Sequence, residues 1–215
     1  NITVGGTGKT PITIWLANYF ISKGYKPLIL SRGYGGKIGD HPIEVSINTD
    51  VSMVGDEPLL MASKLKCPII VHPSRAQSLI YIDDRKFDLI LCDDGLQHYQ
   101  LDRDFEIAVI DGDREFGNKC LLPAGPLREP ISRLLEVDIS LINNSNQEST
   151  KGNSFNLVGK KAINVHTDEV RLIEDFEGHE VHGVAGIGNP DRFFNFLEKR
   201  KIIVKRHPFE DHYNY

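Results

Sequence analysis

The apolar residues of this chain fall into short runs that alternate with stretches of helical periodicity. Consecutive apolar residues predict strands at 2–4, 27–30, 68–72, 87–92, 106–110 and 137–142. Apolar residues spaced three and four apart predict a helix opened by Lys9 and Thr10, and two more at 58–65 and 73–83. Such strand–helix alternation with short apolar strands is typical of an α/β fold with a doubly wound, mainly parallel sheet.

The pattern changes after residue 143. Residues 143–156 are rich in Asn, Ser, Gln, Thr and Gly, which indicates a linker or an exposed excursion. Beyond it, strands are predicted at 161–165, 181–187 and 202–204, and a helix is predicted to begin at Asn189-Pro190. We therefore expect a core domain at 1–143, followed at 144–215 by the linker and a smaller C-terminal α/β domain.

The composition narrows the class of protein. A hydrophobic content of 40% with 26% charged residues is typical of a soluble globular protein. The net charge of −5, with no Lys/Arg stripe among aromatic residues, argues against a nucleic-acid partner. The three cysteines lack paired spacing, which favours reduced thiols and a cytosolic site. Because the chain begins without Met inside a predicted strand, we expect it to be a piece of a longer protein.

A glycine-rich segment, NITVGGTGKTP, joins the first predicted strand to the first predicted helix. The backbone N–H groups of such a turn and the positive helix N-terminus bind phosphate, as in P-loop NTPases. In this arrangement Lys9 reaches the β- and γ-phosphates, and the hydroxyl of Thr10 binds Mg²⁺. The general pattern has a further glycine where this chain has Thr3. The predicted nucleotide contacts are Gly5, Gly6, Thr7, Gly8, Lys9 and Thr10.

Three other segments carry candidate charged groups. The strand at 87–92 ends in Asp93-Asp94, which resembles a Walker B segment whose carboxylate binds Mg²⁺, although Asp-Gly also forms turns. Asp56 stands at the start of a predicted helix, and an N-cap position would explain it fully. Arg128 falls in a Pro/Gly-rich loop at the sheet's ligand-binding edge, where a phosphate contact and a buried ion pair both remain open.

Together these motifs resemble one family, the tetraacyldisaccharide 4′-kinases of lipid A synthesis. The matching strings run in that family's order from the first residue nearly to the last: NITVGGTGKTP, LSRGYGG, GDEP, DDGLQH with LDRD, LLPAGPLREP, GIGNP with RFF, and FEDHY. DDGLQH and PAGPLREP are unusual strings for a P-loop protein. The family shares the departure at Thr3 from the general pattern.

The resemblance implies transfer of the γ-phosphoryl group of ATP, with Mg²⁺, to the 4′-hydroxyl of an acylated glucosamine disaccharide 1-phosphate lipid. It implies a P-loop core, a smaller C-terminal domain, and action at the cytoplasmic face of the bacterial inner membrane. A membrane-associating helix would precede Asn1 in the longer protein. Carried over by position, the family's phosphate loop falls on Gly5 to Thr10, and its Mg²⁺-binding carboxylates fall on Asp93 and Asp94.

The resemblance also implies a proton-accepting dyad. It would consist of Asp56 and a histidine of the closing segment, which falls on His212, with His207 as the competing position. Pairing is reasonable because a lone aspartate is a weak base at neutral pH. A dyad divided between two domains would couple proton transfer to closure. Arg128 matches the family's PLREP arginine and would stabilise the transferring phosphoryl group.

Two other functions remain compatible with the residues. A P-loop kinase or ligase acting on a soluble metabolite, such as a dethiobiotin-synthetase-like enzyme, would differ only in its acceptor. A nucleotide-switch ATPase that positions partner proteins typically carries a lysine near the start of its loop, where Thr3, Val4 and Gly5 stand here. Arg32 and His98 could contact a ligand or only the protein itself.

Overall fold

The computed structural model describes residues 1–82, 86–143, 153–211 and 213. The helices are α1 Lys9–Ser22, α2 Val51–Val54, α3 Asp56–Lys64, α4 Arg75–Tyr81 and α5 Pro190–Glu198, with 3-10 turns at Ile131–Leu135 and Ile173–Phe176. The strands are β1 Pro27–Ser31, β2 Ile43–Glu44, β3 Ile69–Val71, β4 Leu89–Cys92, β5 Ile107–Asp111, β6 Ile139–Asn143, β7 Ser154–Phe155, β8 Lys161–Ile163, β9 Val170–Leu172, β10 Glu180–Ala185 and β11 Ile203–Pro208.

The first sheet has the strand order β2-β3-β1-β4 and is built around the fully buried strand β1. β1 is parallel to both β3 and β4, and β2 pairs antiparallel with β3. Ile29 packs in one cluster with Ala17 of α1 and Met61 of α3. Leu28 and Leu30 belong to a second cluster, with apolar residues at the end of α4. Because side chains alternate along a strand, the two clusters lie on opposite faces of the sheet, and each face is covered by helices.

The remaining strands form three further sheets. β5, β6 and β7 are parallel in that order, and β8 and β9 pair antiparallel. β10 and β11 are parallel, and α5 packs beside them through the buried side chains of Phe194 and Leu197. No helix within the described ranges is long and apolar enough to cross a membrane.

The structure confirms a mixed α/β fold with parallel sheets. The predicted strands 27–30, 68–72, 87–92, 106–110 and 137–142 correspond to β1, β3, β4, β5 and β6. A single sheet running through the whole core stays a prediction, as does the boundary at 143/144. Most of the predicted linker, residues 144–152, lies outside the described residues.

The predicted strand at 2–4 is wrong. Thr3 makes only an isolated antiparallel bridge to Leu127. The segment is held by a loop, since the N–H of Val4 donates to the carbonyl of Pro126 and the N–H of Arg128 donates to that of Ile2. Ile2 is nonetheless fully buried, so the apolar pattern correctly located a core segment.

Candidate active site

Glycines shape the loop between Val4 and α1. Gly5 and Gly8 have φ angles of 93° and 98°, in the left-handed region that favours glycine. Gly8 is the N-cap of α1, so the N–H groups of the first helical turn are the donors that an anion would use. A Cβ on Gly8 would lie 2.6 Å from Nδ2 of Asn143, which donates to the carbonyl of Thr7 at 3.0 Å. The end of β6 therefore supports the loop directly.

Asp94 lies between two of the cations that the sequence singled out. Its Oδ1 is 3.5 Å from Nζ of Lys9, and its Oδ2 accepts a hydrogen bond from Nη1 of Arg128 at 2.7 Å. Burial alone would raise the pKa of Asp94, but the cations, Lys9 foremost, outweigh it and lower the pKa to about 2. Arg128 thus forms an ion pair with Asp94 in which both side chains are 30% exposed, and its contact with the transferring phosphoryl group stays a prediction.

Asp93 is in a different environment although it is adjacent in sequence. Its side chain is 2% exposed, and burial together with the negative charge of Glu57 raises its pKa to about 6. Its Oδ1 accepts a hydrogen bond from the hydroxyl of Thr13 at 3.2 Å. Glu57 is nearby because its Oε1 accepts a hydrogen bond from the hydroxyl of Thr10 at 3.0 Å. Oxygen ligands from α1, α3 and the end of β4 therefore meet at the start of α1.

These oxygens fit Mg²⁺. Oδ1 of Asp94 is buried and accepts no hydrogen bond from the described residues, and its cationic neighbour is Nζ of Lys9 at 3.5 Å. A metal ion could take the place of that neighbour as the partner of this oxygen. The described ranges contain no group of three or more His, Cys, Asp or Glu that could enclose a metal. Mg²⁺ suits such a site, because it usually keeps several waters and binds one or two carboxylates together with substrate phosphates.

Helix α3 begins one residue earlier than an N-cap at Asp56 predicts, so Asp56 is not its N-cap. Gly55 is the N-cap of α3, and Asp56 is the first helical residue. Only glycine suits position 55, since its φ is 85° and a Cβ would lie 2.3 Å from the carbonyl oxygen of Tyr34. Oδ1 of Asp56 accepts a hydrogen bond from the N–H of Glu57 at 2.9 Å, and the side chain is exposed. The bond from Glu57 to Thr10 brings this exposed carboxylate to the edge of the phosphate loop.

A buried arginine belongs to the site and was not predicted. Arg75, the first residue of α4, is 2% exposed and donates through Nη2 to the carbonyl of Asp93 at 2.7 Å. Its Nε has no hydrogen-bond partner in the described part of the chain, and burial lowers the pKa of its guanidinium. His98 accepts a hydrogen bond at Nε2 from the N–H of Arg75 at 3.2 Å, and burial followed by the Arg75 charge lowers the pKa of His98. The position of Arg75 just beyond β3 is the signal that could have identified it.

The loop after β10 touches the phosphate loop. A Cβ on Gly188 would lie 2.5 Å from the backbone nitrogen of Gly6 and 3.2 Å from Oδ2 of Asp211. Arg114 spans the two loops, donating through Nη1 to the carbonyl of Gly188 at 3.1 Å and through Nη2 to that of Gly6 at 3.4 Å. A cavity of about 290 Å³ adjoins this contact on the side of Arg114 and Thr3. The C-terminal residues thus complete one wall of the site.

The two candidate histidines of the dyad have different outcomes. His212 lies outside the described residues, so its role stays a prediction. Nε2 of His207 is 3.0 Å from Nδ1 of His182, and the two rings are nearly parallel across β10 and β11. Asp211, the neighbour of His212, is beside Gly188. The closing segment therefore reaches the phosphate loop.

Comparison with known proteins gives one consistent result. A family profile described as tetraacyldisaccharide-1-P 4′-kinase matches residues 1–215. The tetraacyldisaccharide 4′-kinase of Nitrosococcus oceani is 45% identical over 218 residues, covering 100% of this chain and 63% of the relative. Its counterpart in Ruthia magnifica is 49% identical over 216 residues, covering 100% and 68%. The chain thus spans 63% to 68% of the length of these curated relatives. No solved structure matches it.

Proposed function

Because the chain belongs to the tetraacyldisaccharide-1-P 4′-kinase family, we propose that it serves to phosphorylate the 4′-hydroxyl of a tetraacyldisaccharide 1-phosphate with ATP, a step of lipid A biosynthesis. The family match over residues 1–215 carries this proposal. The proposal concerns the activity of the longer protein, because this chain covers only part of the length of its relatives.

ATP would bind with its β- and γ-phosphates over residues 5–10. The first-turn N–H groups of α1 point toward this position, and Lys9 supplies the neutralising charge. Phosphoryl transfer requires mainly positioning and charge stabilisation, both of which a loop held by Asn143 and Arg114 can provide. In the structure the carboxylate of Asp94 forms ion pairs with both Lys9 and Arg128.

Entry of the nucleotide would therefore exchange partners within this cluster. The phosphate oxygens compete with Asp94 for Lys9 and Arg128, and the carboxylate of Asp94 becomes available to a metal. Mg²⁺ would be held by the hydroxyl of Thr10 with Asp93 and Asp94, and it would supply charge neutralisation between the β- and γ-phosphates. Arg128 would then stabilise the transferring phosphoryl group together with Lys9.

Removal of the acceptor proton is assigned to Asp56. Its carboxylate is exposed at the edge of the phosphate loop, where a sugar hydroxyl could approach from solvent. The proton of the 4′-hydroxyl would pass to Asp56 paired with His212 while the hydroxyl oxygen attacks the γ-phosphorus and ADP leaves. The position of Asp211 beside Gly188 supports placing His212 on the same side of the loop.

The finer organisation belongs to the same proposal. Residues 1–143 would form a doubly wound P-loop core, and residues 144–215 would form a linker and part of a smaller domain. The enzyme would act at the cytoplasmic face of the bacterial inner membrane, since its acceptor is an acylated lipid. The relatives are longer, and we place a membrane-associating segment of the parent protein outside residues 1–215.

The test is transfer of label from γ-labelled ATP to detergent-dispersed tetraacyldisaccharide 1-phosphate. The full-length parent protein is compared with its Asp56→Asn variant, and Asp40→Asn replaces an exposed carboxylate elsewhere as the matched control. We expect Asp56→Asn to lower the transfer rate by roughly 10²-fold or more, as loss of a positioned general base does, with nucleotide affinity unchanged. Asp40→Asn should be fully active.

Two outcomes would replace this proposal. Label transferred to a soluble acceptor but never to the lipid would identify a metabolite kinase. Rapid ATP hydrolysis without lipid, insensitive to Asp56→Asn, would identify a nucleotide-switch ATPase.

A further inference from the structure

Asp111, the last residue of β5, is a buried carboxylate that two arginines share. Its side chain is 1% exposed. Oδ2 accepts a hydrogen bond from Nε of Arg114 at 2.9 Å, and Oδ1 accepts one from Nη2 of Arg192 at 2.5 Å. Burial would raise the pKa of Asp111, but the N–H of Asp113 and the charge of Arg192 outweigh it and lower the pKa. The ionised carboxylate thus joins a loop of the core to α5, 81 positions further along the chain.

Arg192 has several other partners at the same place. Its Nε and Nη2 donate to Oδ2 of Asp113 at 3.1 Å and 2.9 Å, and Nη2 also lies 3.3 Å from the carbonyl oxygen of Asn143. Asn189, the N-cap of α5, accepts at Oδ1 from the N–H of Arg192 and donates through Nδ2 to Asp111 at 3.4 Å. The first turn of α5 is therefore fixed to the carboxyl ends of β5 and β6.

These contacts converge on two side chains that hold the phosphate loop in place. Arg114 donates to the carbonyl of Gly6 at 3.4 Å, and Asn143 donates to that of Thr7 at 3.0 Å. Arg192 reaches the first through the carboxylate that it shares with Arg114, and it reaches the second through its own bond to the carbonyl of Asn143. Loss of the Arg192 guanidinium would therefore loosen both holds on the loop at once.

We propose that Arg192 is a positioning residue for the nucleotide: by fixing Arg114 and Asn143, it keeps the phosphate loop in the shape that binds the β- and γ-phosphates. The inference rests on the proposed binding of ATP over residues 5–10 and gives the string GIGNP, with the arginine that follows it, a role at that site. Attachment of α5 alone would not require these bonds, because the helix already packs through the buried side chains of Phe194 and Leu197.

The test measures nucleotide binding directly. The full-length parent protein and its Arg192→Gln variant are titrated calorimetrically with Mg²⁺–ATP in the absence of the lipid acceptor. We expect Arg192→Gln to weaken the affinity by roughly tenfold, since residues of one hydrogen-bonded network are coupled by energies of this order. Inorganic tripolyphosphate with Mg²⁺ should lose affinity by the same factor, because the change acts on the phosphate loop and not on the nucleoside.

Two further variants control for damage to the fold. Arg206 forms ion pairs with α5 through Glu198 and Asp191, but among the described residues it contacts neither Arg114 nor Asn143. Arg206→Gln should therefore bind ATP as the unaltered protein does. Asp113→Asn removes one of the two carboxylates that hold Arg192, at a side chain that is 35% exposed, and should weaken ATP binding by roughly threefold. This milder change keeps the test decisive if Arg192→Gln fails to fold.

Kinetics separate positioning from a role in the chemical step. In the transfer of label from γ-labelled ATP to the detergent-dispersed acceptor, Arg192→Gln should raise KM for ATP by the factor found in the calorimetric titration. The rate at saturating ATP should stay within a few-fold of that of the unaltered protein, since a bound nucleotide holds the loop in place. Urea unfolding establishes that each variant is folded at the temperature of the assay.

Three results would overturn the inference: unchanged ATP affinity in a folded Arg192→Gln or Asp113→Asn variant, weaker binding of ATP but not of tripolyphosphate, or a lower saturating rate at unchanged KM. The outcome is distinguishable from failure of the proposed function. If the unaltered protein binds ATP and Arg192→Gln binds it equally well, only the role of Arg192 is refuted. If the unaltered protein binds no ATP, the proposed function fails as well.

Discussion

Replacing Asp93 by Asn should stabilise the nucleotide-free protein at neutral pH, whereas replacing its neighbour Asp94 by Asn should destabilise it. Asp93 is buried with its pKa raised to about 6, so the folded protein binds its proton more tightly than the unfolded chain does. The stability that this proton contributes is present below about pH 4 and is lost as the pH rises to about 6. Above that pH the ionised Asp93 is a net cost to folding.

The size of the effect follows from the shift. Moving the pKa of Asp93 from 3.8 to about 6 corresponds to about 3 kcal/mol at neutral pH, at ~1.4 kcal/mol per pKa unit. Asn keeps the shape of the side chain and can still accept the hydrogen bond from Thr13, so most of that cost should disappear. Asp94, with a pKa of about 2, stabilises the fold above pH 4 and loses this contribution as the pH falls toward 2. Its side chain is 30% exposed, so we expect a loss of only about 1–2 kcal/mol in Asp94→Asn after screening.

The assay is urea unfolding between pH 4 and pH 8 with a chelator and no nucleotide. The difference in unfolding free energy between Asp93→Asn and the unaltered protein should grow from near zero at pH 4 to its full value by pH 7. Saturating Mg²⁺–ATP should reverse the order, because a bound cation favours the ionised Asp93. A difference that is constant across this pH range would refute the reasoning, and so would two Asn variants with effects of the same sign.

Two further predictions concern the walls of the site. Thr10→Ser keeps the hydroxyl that donates a hydrogen bond to Glu57 and should remain within a few-fold of full activity. Thr10→Val should lower the rate of Mg²⁺-dependent phosphoryl transfer by roughly 10²-fold. Equal transfer rates for the two variants in a Mg²⁺ titration would contradict a role for the hydroxyl. Gly188→Ala would place a Cβ 2.5 Å from the nitrogen of Gly6 and should weaken nucleotide binding by roughly tenfold or more. Nucleotide binding is measured by calorimetric titration with ATP, and Gly39→Ala, where a Cβ meets open space, is the control.

Much of the fold could be predicted because its signals are local. The apolar run at 27–30 became β1, and the side chain of Asn189 does cap α5 by accepting from the N–H of Arg192 at 3.3 Å. The strand predicted at 2–4 did not form, because strand pairing needs a neighbour, and this segment meets a loop at 126–128. The periodicity of apolar residues indicates which segments are buried, but it does not indicate which segment pairs with them.

The site was predictable only where a motif marks it. The phosphate loop and the acidic pair are contiguous strings, and the structure brings Lys9 to Asp94. Glu57 gains its place from a bond to Thr10, 47 positions away, which no local pattern encodes. Arg75 was missed for a related reason: a buried arginine is exceptional, and only the fold around it shows that Asp93 accepts its hydrogen bond.

The partners of the phosphate loop also lie far along the chain, and this has a consequence for biosynthesis. Gly6 is bound by Arg114, 108 positions later, and Thr7 is bound by Asn143, 136 positions later. On the ribosome, the loop is therefore made long before the residues that hold it in shape. A nascent chain arrested before residue 114 should not be retained on immobilised ATP, because it lacks Arg114 and Asn143. A chain that extends beyond residue 188 contains both of these residues and Gly188. The ability to bind nucleotide would then arise late in translation, as a property of the assembled fold.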